Sequence, residues 1–366
     1  MNLSELRLRN FRNYEELDIG FDPGVNLIVG DNAQGKTNLL EAISYLGSGK
    51  SFRALKTSEM VRFGSEFAEI EGEIFSQERD QSVRWMLFGG ARPRQIWRNG
   101  ARKKAAADIA GVLPTVLFCP EDLMVLKTGA AQRRRLGDNA LCQLRPNYDA
   151  ALTEYNRILD QKNRILKDRH ENPALLEILP EYNTRLCQVG ALLISYRARF
   201  FDSLEKAAAK YHGQFSGGAE DFALEYKTVS TVQDPFAPVS TLTQDLLDHL
   251  DRHCRAELDS AQCLTGPHKD DFTVSLSGID LKAYGSQGQT RTAAISLKLA
   301  QRELMGREFG EEPVLLLDDV LSELDPGRQD FVLNQIASGQ VFITCCEPGR
   351  FTKLGKTIEI QNGAVR

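Results

Sequence analysis

The chain has 366 residues, of which 42% are hydrophobic and 26% are charged, and its formal net charge is −5 at pH 7. The length favours two to three domains or one large elaborated domain, and the apolar content is enough for a sizeable core. The negative charge gives no general affinity for nucleic acid, so a DNA surface has to be a local basic patch.

The amino terminus, MNLSELRLRN, alternates charged and apolar residues, and no apolar run approaches the thickness of a bilayer. We therefore expect neither a signal peptide nor a membrane association. The seven cysteines contain no C-x-x-C pair, which favours reduced thiols and a cytoplasmic location.

The first third of the chain has mainly the alternation that is typical of strands. Residues 1–29 alternate apolar and polar side chains, and a helix is predicted over residues 37–46, after a glycine-rich loop. Residues 67–118 are again strand-rich, and the Asn-Gly pair within residues 98–102 predicts a hairpin.

Apolar residues then recur at three- and four-residue spacing over residues 147–169 and, after a break at HENP, up to Ala208. This pattern predicts an antiparallel helical hairpin with arms of roughly 35–45 Å. Two packed helices in an ordinary α-domain are the alternative.

The last third alternates strands and helices. We predict helices over residues 241–262, up to Arg307 and near 327–337, separated by strands such as DFTVSL, VLLL, QVFIT and TIEIQ. The chain is thus predicted to be an α/β protein. Residues 1–135 and 215–366 form the predicted head domain, with an antiparallel β subdomain, and residues 136–214 form an inserted helical arm.

One loop carries a complete phosphate-binding motif. GDNAQGKT matches G-x-x-x-x-G-K-[ST] between a buried strand and a helix, as the motif requires. Backbone N–H groups of such a loop surround a phosphate, Lys36 brings a positive charge to the β- and γ-phosphates, and Thr37 offers a hydroxyl to Mg²⁺. The predicted nucleotide-binding residues are Gly30, Asp31, Asn32, Ala33, Gln34, Gly35, Lys36 and Thr37.

A second motif is an apolar strand that ends in two carboxylates, VLLLDDV. Beside a phosphate loop, Asp318 fits a group that holds Mg²⁺ through water, and Asp319 fits the group that orients or deprotonates an attacking water. A solvated strand end is the alternative. The following LSELDPG predicts a helix cap at Asp325 or the D-loop of an ATPase.

A third motif, YGSQGQTRT, is a glycine-rich turn before a helix, like a phosphate turn but without a lysine. Ser286 offers a hydroxyl, Gly288 allows a close backbone approach, and the helix N-terminus favours an anion. An ordinary helix N-cap with a glycine is the alternative.

Basic residues concentrate around Trp97 in RPRQIWRNGARKK, and shorter basic runs lie at Arg7, Arg9 and Arg12 and over residues 133–135. Such groups bind phosphates without reading sequence, whereas a solvated basic face is the alternative. The predicted DNA-binding residues are Arg98, Arg102, Lys103 and Lys104.

In this order the motifs resemble the ABC-type ATPases, and within that superfamily the whole chain resembles the RecF family. The residues that carry the second resemblance are LRLRNFRNYEELDIGF, FCPEDL, GPHKDDF, YGSQGQTRT and LLLDDVLSELD. GAAQRRRLGD departs from the expected pattern because it lacks a proline and the hydrophobic-Leu-Asp ending, and ITCCEP has no switch histidine, which argues against a transporter subunit.

The resemblance implies an ABC-type ATPase head whose cofactors are ATP and Mg²⁺. In such proteins the turn with Ser286, Gly288 and Gln289 caps the γ-phosphate bound by the partner subunit, and Arg12 and Asn13 lie near the nucleotide. It also implies an ATP-dependent homodimer that clamps DNA near single-strand/double-strand junctions during repair, replication and the SOS response. RecO- and RecR-like proteins would be partners in recombinase loading, and slow, DNA-dependent ATP hydrolysis would serve release.

Other interpretations stay open. A Rad50- or SMC-like DNA-tethering ATPase is the main alternative, although the predicted arm has no cysteine pair at its tip; a nuclease-linked ATPase would need a further acidic cluster. Glu121 or Asp122 is a candidate for the Gln-loop position without an assignment. His268 with Asp270 and Asp271 is either a metal site or, as we expect, structural.

Overall fold

The computed structural model describes residues 1–77, 79–336, 338–346 and 349–366. Its strands are β1 (Asn2–Phe11), β2 (Tyr14–Gly20), β3 (Val25–Val29), β4 (Phe67–Phe75), β5 (Gln81–Phe88), β6 (Gln95–Arg98), β7 (Ala101–Lys103), β8 (Thr115–Phe118), β9 (Phe222–Lys227), β10 (Asp271–Leu276), β11 (Ile279–Asp280), β12 (Val314–Leu317), β13 (Val341–Cys345), β14 (Lys356–Gln361) and β15 (Ala364–Val365). Its α-helices are α1 (Lys36–Ser48), α2 (Ala130–Leu144), α3 (Pro146–Asp168), α4 (Leu179–Ser216), α5 (Val239–Ser260), α6 (Leu281–Tyr284), α7 (Gln287–Phe309) and α8 (Pro326–Gln335).

The chain divides into two compact units. The first contains Met1–Leu123 and Lys298–Arg366, and the second contains Met124–Leu297. The predicted arm, residues 136–214, falls inside the second unit together with flanking segments, and the predicted boundary between arm and head stays a prediction. Among the described residues, no helix combines the length and apolar character needed to cross a lipid bilayer.

A six-stranded sheet in the order β15-β14-β3-β13-β12-β8 organises the first unit. All of its strand pairs are parallel except β14 with β15. The carboxyl ends of β3, β13 and β12 therefore lie side by side at one edge, which is where open α/β sheets bind ligands.

The second sheet of this unit is antiparallel, in the order β2-β1-β4-β5-β6-β7. The hydrophobic core includes residues of both sheets and of α1, among them Leu6, Ile43 and Phe342. Trp85 on β5 donates its indole N–H to the Leu46 carbonyl of α1 at 3.1 Å. The predicted Asn-Gly hairpin is confirmed between β6 and β7, where Asn99 and Gly100 have positive φ.

The predicted helical hairpin is also confirmed, in the second unit. Tyr148 of α3 stacks edge-on with Tyr196 of α4, and Glu154 pairs with Arg185, so the two helices run in opposite directions. With 38 residues, α4 is about 57 Å long and exceeds the expected arm length. It also packs against α5 and β9, so part of this helix belongs to the core of the unit.

Two differences from the expected elements are local. Helix α2 was not predicted, because its few apolar residues are separated by the polar run QRRR and Gly137. Helix α8 ends at Gln335, and residue 337, the predicted end of that helix, lies outside the described residues, as do residues 347–348 of ITCCEP.

Candidate nucleotide site

The phosphate loop, residues 30–37, connects β3 to α1. Two of its glycines are required by the backbone. Gly35 has φ 121°, a region that side chains rarely adopt, and a Cβ at Gly30 would lie 2.3 Å from the Ile360 carbonyl oxygen. The loop therefore has the tight curvature that lets backbone N–H groups surround a phosphate.

The backbone of the loop is held by the first residue of β2 and by the turns between β1 and β2 and between β14 and β15. Asn13 donates its amide to the Gln34 carbonyl at 2.8 Å, and Tyr14 donates its hydroxyl to the Gly35 carbonyl at 2.9 Å. The Gly363 N–H reaches the same Gln34 carbonyl at 3.0 Å. Asn13, which we predicted near the nucleotide, thus fixes the loop backbone, and a direct nucleotide contact by this residue stays a prediction.

Lys36 is buried at the start of α1. Its Nζ donates to the carbonyl oxygens of Gly30 at 2.6 Å and Asp31 at 3.1 Å. Nζ also lies 3.3 Å from the Cys346 sulfur, which is 3.0 Å from the Asn32 side-chain oxygen. The Lys36 ammonium group therefore contacts two carbonyl oxygens and a sulfur, all of them neutral groups. A negatively charged phosphate would be a stronger partner and would replace them.

Asp318 follows β12 and is buried beside the first turn of α1. Its Oδ1 accepts hydrogen bonds from the hydroxyls of Thr37 at 2.9 Å and Thr344 at 3.0 Å. Burial raises the pKa of Asp318, and the nearby Asp319 raises it further, while the two hydroxyl donors lower it. A buried carboxylate among oxygen groups fits Mg²⁺, so Thr37 and Asp318 are the residues that would hold this ion.

Asp319 has different surroundings from its neighbour. It is half-buried, adopts the left-handed conformation with φ 51°, and donates its backbone N–H to Thr344 Oγ1 at 2.8 Å. The chain bends sharply here, which separates the environments of the two carboxylates. The predicted role of Asp319 toward an attacking water stays a prediction.

Arg12 forms a bidentate ion pair with Glu41 of α1, with both N···O distances at 2.8 Å. A third bond, of 2.7 Å, runs to the Glu59 carbonyl. Glu41 is fully buried, and Arg12 is its ion-pair partner. The structure gives the arginine a structural partner, and the nucleotide contact that the resemblance implied stays a prediction.

The SQGQ turn, residues 286–289, forms the start of α7. The Gln289 N–H donates to Ser286 Oγ at 3.2 Å, and the Ser286 N–H donates to Gln289 Oε1 at 3.1 Å. This reciprocal pair is a capping box. The helix-cap alternative therefore describes the local geometry correctly, and Ser286 is exposed.

The predicted basic surface is only partly available to a ligand. Arg98 donates to Gln81 Oε1 and to the Asp108 carbonyl, and burial lowers its pKa. Arg102 and Lys104 are exposed, and Lys103 is half-buried. All four predicted DNA-binding residues are thus at least partly open to solvent, but the Arg98 guanidinium already has partners within the protein.

The basic run at residues 133–135 does not form a continuous basic surface. Arg133 is buried and forms a bidentate ion pair with Asp271, at 2.6 and 2.7 Å. Arg134 donates to the Asp270 carbonyl at 2.6 Å. Of the three, Arg135 is the exposed residue.

GPHKDDF contributes to the core of the second unit. His268 Nδ1 lies 2.7 Å from the Tyr155 hydroxyl, and burial lowers the His268 pKa to about 4. Asp270 is fully buried and pairs with Arg197 at 2.9 Å. No group of three or more His, Cys, Asp or Glu side chains in the described ranges is arranged to hold a metal.

FCPEDL begins at the last residue of β8, and its Asp122 is half-buried. Asp122 pairs with Lys298 at 3.0 Å and accepts the Cys119 N–H at 3.0 Å, whereas Glu121 is exposed.

Asp325 caps α8 by accepting the Arg328 N–H at 3.1 Å, which confirms the predicted helix cap.

Sequence reasoning missed several residues of the site. Thr344 and Cys346 lie at the end of β13, and Glu41 lies on the buried side of α1. The parallel-sheet rule gave a signal for the first two, because β13 pairs with β3 and places Cys345 opposite Val29, next to the phosphate loop. No local pattern indicated Glu41.

Comparison with known proteins agrees with this geometry. The model of the RecF/RecN/SMC N terminal domain matches residues 2–364. The DNA replication and repair protein RecF of Agathobacter rectalis is 40% identical over 354 residues, which cover 96% of this chain and 94% of that protein. The chain belongs to the RecF family. The RecF protein of Clostridioides difficile is 38% identical over 369 residues, covering 100% of this chain and 98% of that protein.

Solved structures give the same result. The recombination mediator protein RecF-ATP in the RecFOR pathway has a TM-score of 0.90 and 33% identity, covering 100% of this chain and 96% of that chain. The Smc head domain of Pyrococcus furiosus has a TM-score of 0.57 at 16% identity and covers 100% of this chain and 95% of that one. The predicted ABC-type ATPase fold and the RecF resemblance are confirmed, and the relatives' names associate the family with DNA replication and repair.

Proposed function

We propose that this RecF-family protein binds ATP with Mg²⁺ and uses it to control DNA binding in recombinational repair and replication. The observation that carries the proposal is the convergence of Lys36, Thr37 and Asp318 at the carboxyl edge of the parallel sheet, with hydrogen bonds between Thr37 and Asp318 and from Lys36 to the loop. A relative that covers this whole chain has been solved as RecF-ATP. Mg²⁺ held by Thr37 and Asp318 would supply positive charge to the phosphate oxygens.

The active form in this proposal is an ATP-dependent homodimer. The SQGQ turn has an exposed hydroxyl at Ser286 and a helix N-terminus that favours an anion, but it has no lysine. A lysine-less phosphate turn is useful when a second copy of the chain supplies Lys36 and the nucleotide. Because ADP lacks the γ-phosphate, it leaves the turn without a ligand and the dimer open.

DNA binding is assigned to the β6–β7 hairpin and its basic side chains, which favour phosphates over base edges. The closed dimer holds DNA near a single-strand/double-strand junction and assists RecO- and RecR-like partners in loading the recombinase. Asp319 orients the attacking water, and slow hydrolysis reopens the dimer. The ATPase activity is therefore a weak, DNA-dependent switch.

Sedimentation velocity of an Asp319→Asn variant tests the central step, because slowed hydrolysis traps the state that ATP builds. We expect a dimer with ATP and Mg²⁺, and a monomer with ADP and Mg²⁺. Adding Ser286→Arg should abolish the dimer while each monomer still binds ATP. A protein that stays monomeric with ATP, with and without gapped DNA, would refute the dimer mechanism.

A further inference from the structure

The side-chain amide of Gln289 is held from two sides. Its Oε1 accepts the Ser286 N–H, as described above, and its Nε2 donates to Glu220 Oε1 at 2.7 Å. A carboxylate only accepts hydrogen bonds, so Glu220 requires the NH₂ side of the amide to face it. The amide oxygen is then directed to Ser286, and the capping box closes in one orientation.

Glu220 reaches this place because α4 ends in a tight reversal. Gly217 and Gly218 both have positive φ, at 63° and 78°, and the Gly218 N–H bonds back to the Gly213 carbonyl at 2.9 Å. The reversal brings Glu220 back beside the last turns of α4, where its Oε2 lies 2.9 Å from His212 Nε2. His212 is fully buried and packs against the Phe222 ring.

The hydrogen bond from Gln289 is the main reason that the pKa of Glu220 is lowered, and His212 adds to the effect. Glu220 is therefore an anion at neutral pH, and its bond to Gln289 is charge-assisted, which makes it stronger than a bond between neutral groups. His212 occupies the second carboxylate oxygen and limits the rotation of the side chain.

We propose that Glu220, held by His212, positions the SQGQ turn for the γ-phosphate bound by a second copy of the chain. The inference rests on the dimer in the proposed function and deepens it. Both residues act through Gln289 and are positioning residues. The turn is thereby connected to the end of the 38-residue helix α4.

Three variants test the inference in the Asp319→Asn background. Glu220→Ala removes both bonds. Glu220→Gln keeps an acceptor for Gln289 in its amide oxygen, and its NH₂ can donate to His212 Nε2 when the neutral ring carries its proton on Nδ1. That proton has no acceptor among the described residues, so the bond to His212 is less favourable in this variant. Glu225→Ala is the matched control, since it removes a carboxylate of the same unit that pairs with Lys227 on the surface.

Two measurements are made on each variant: hydrogen exchange of the peptide covering residues 286–292, and the ATP-dependent dimer dissociation constant. For Glu220→Ala we expect faster exchange and a dimer that is weaker by about tenfold, the scale expected for removing one charge-assisted hydrogen bond. ATP affinity of the monomer should stay the same. Glu225→Ala should match the parent protein in both measurements, and Glu220→Gln, which keeps the hydrogen-bonding shape without the charge, should lie between the parent protein and Glu220→Ala.

The outcomes separate this inference from the proposed function. Unchanged exchange in Glu220→Ala, or faster exchange with an unchanged dimer, would overturn the positioning role. A parent protein that forms no dimer with ATP would overturn the proposed function, and exchange of residues 286–292 would still decide whether Glu220 orders the turn. If Glu220→Ala does not fold, His212→Phe replaces it, because this variant keeps an aromatic ring on Phe222 and loses the bond to Glu220.

Discussion

Thr37 and Asp318 are 281 residues apart in the sequence and share a hydrogen bond of 2.9 Å. The bond joins the first turn of α1 to the end of β12, and Thr344 at the end of β13 donates to the same carboxylate oxygen. Three segments that follow or end parallel strands thus meet at one carboxylate. Because one buried carboxylate joins all three segments, a change at Asp318 should affect both the stability of the protein and its binding of nucleotide with Mg²⁺.

Asp318→Asn should stabilise the nucleotide-free protein and weaken Mg²⁺-dependent nucleotide binding. Burial raises the pKa of Asp318, so the folded protein binds this proton more tightly than the unfolded chain. Protonated Asp318 therefore adds to the free energy of unfolding. This contribution is fully present below the ordinary Asp pKa of about 3.9 and is lost as pH rises through the raised pKa of the folded protein. Asparagine keeps the acceptor oxygen for both hydroxyls without the buried charge.

Urea unfolding at several pH values checks the first effect, and calorimetric titration with ATP and Mg²⁺ checks the second. The stabilisation by Asp318→Asn should be largest at neutral pH and shrink toward acidic pH. The affinity for Mg²⁺ with ATP should fall about 10–100-fold, as for other groups that orient a metal's ligands. A nucleotide-free variant that is less stable than the parent at pH 7 would contradict the assignment.

Arg12→Ala should destabilise the protein strongly, because it leaves the fully buried Glu41 without its ion-pair partner. Removing one partner of a buried pair costs about 3–5 kcal/mol. The double variant Arg12→Ala with Glu41→Gln should recover part of this loss. Urea unfolding measures both. If Arg12→Ala retains full stability and loses only ATP affinity, Arg12 acts mainly on the nucleotide.

The same residue shows where prediction from the sequence stops. The phosphate loop was predictable because its spacing is local and its chemistry depends on the backbone. The role of Asp318 was predictable because an apolar strand that ends in two carboxylates accompanies a complete phosphate loop in the same chain. Arg133 was noted only as basic, and Arg12 as basic and, by resemblance, near the nucleotide. Their partners, Glu41 and Asp271, lie 29 and 138 residues away in the sequence. Pairing over such distances is set by the fold.

The contact between Glu220 and Gln289 could not be predicted from the sequence either. SQGQ predicts a capping box from local sequence alone, but the carboxylate that fixes Gln289 comes from a segment 69 residues earlier. Gly217 and Gly218 are residues that favour the end of a helix. They did not indicate what the chain would contact after the reversal.

Arg102→Ala with Lys104→Ala should weaken duplex DNA binding and make it less dependent on salt. Both side chains are exposed on the hairpin. For each DNA phosphate that the variant no longer neutralises, the slope of log affinity against log salt should fall by about 0.9. Fluorescence anisotropy at several salt concentrations measures the slope. Lys206→Ala, which removes an exposed lysine of α4, is the control.

Arg98→Ala should behave differently from the pair. Its guanidinium bonds to Gln81 and to the Asp108 carbonyl, so its removal should loosen the hairpin and leave the salt slope nearly unchanged. If Arg98→Ala lowers the salt slope of DNA binding as much as the loss of one exposed basic residue does, Arg98 contacts DNA. Unchanged slopes in all the variants would place the DNA surface elsewhere.

ATP should protect Cys346 from thiol reagents. Of the seven cysteines, Cys254 and Cys346 are exposed, and the Cys346 sulfur lies 3.3 Å from Lys36 Nζ. A phosphate bound by Lys36 would cover this thiol, whereas Cys254 lies on α5 and serves as an internal control. With ATP at 100 times its dissociation constant, the nucleotide-free fraction and hence the labelling rate of Cys346 should fall about a hundredfold. Mass spectrometry after timed labelling measures both cysteines in one sample.

Lys36→Ala should abolish nucleotide binding and with it the protection, while Cys346→Ser should bind ATP normally. Equal labelling of Cys346 with and without saturating ATP would mean that the phosphates do not approach the end of β13.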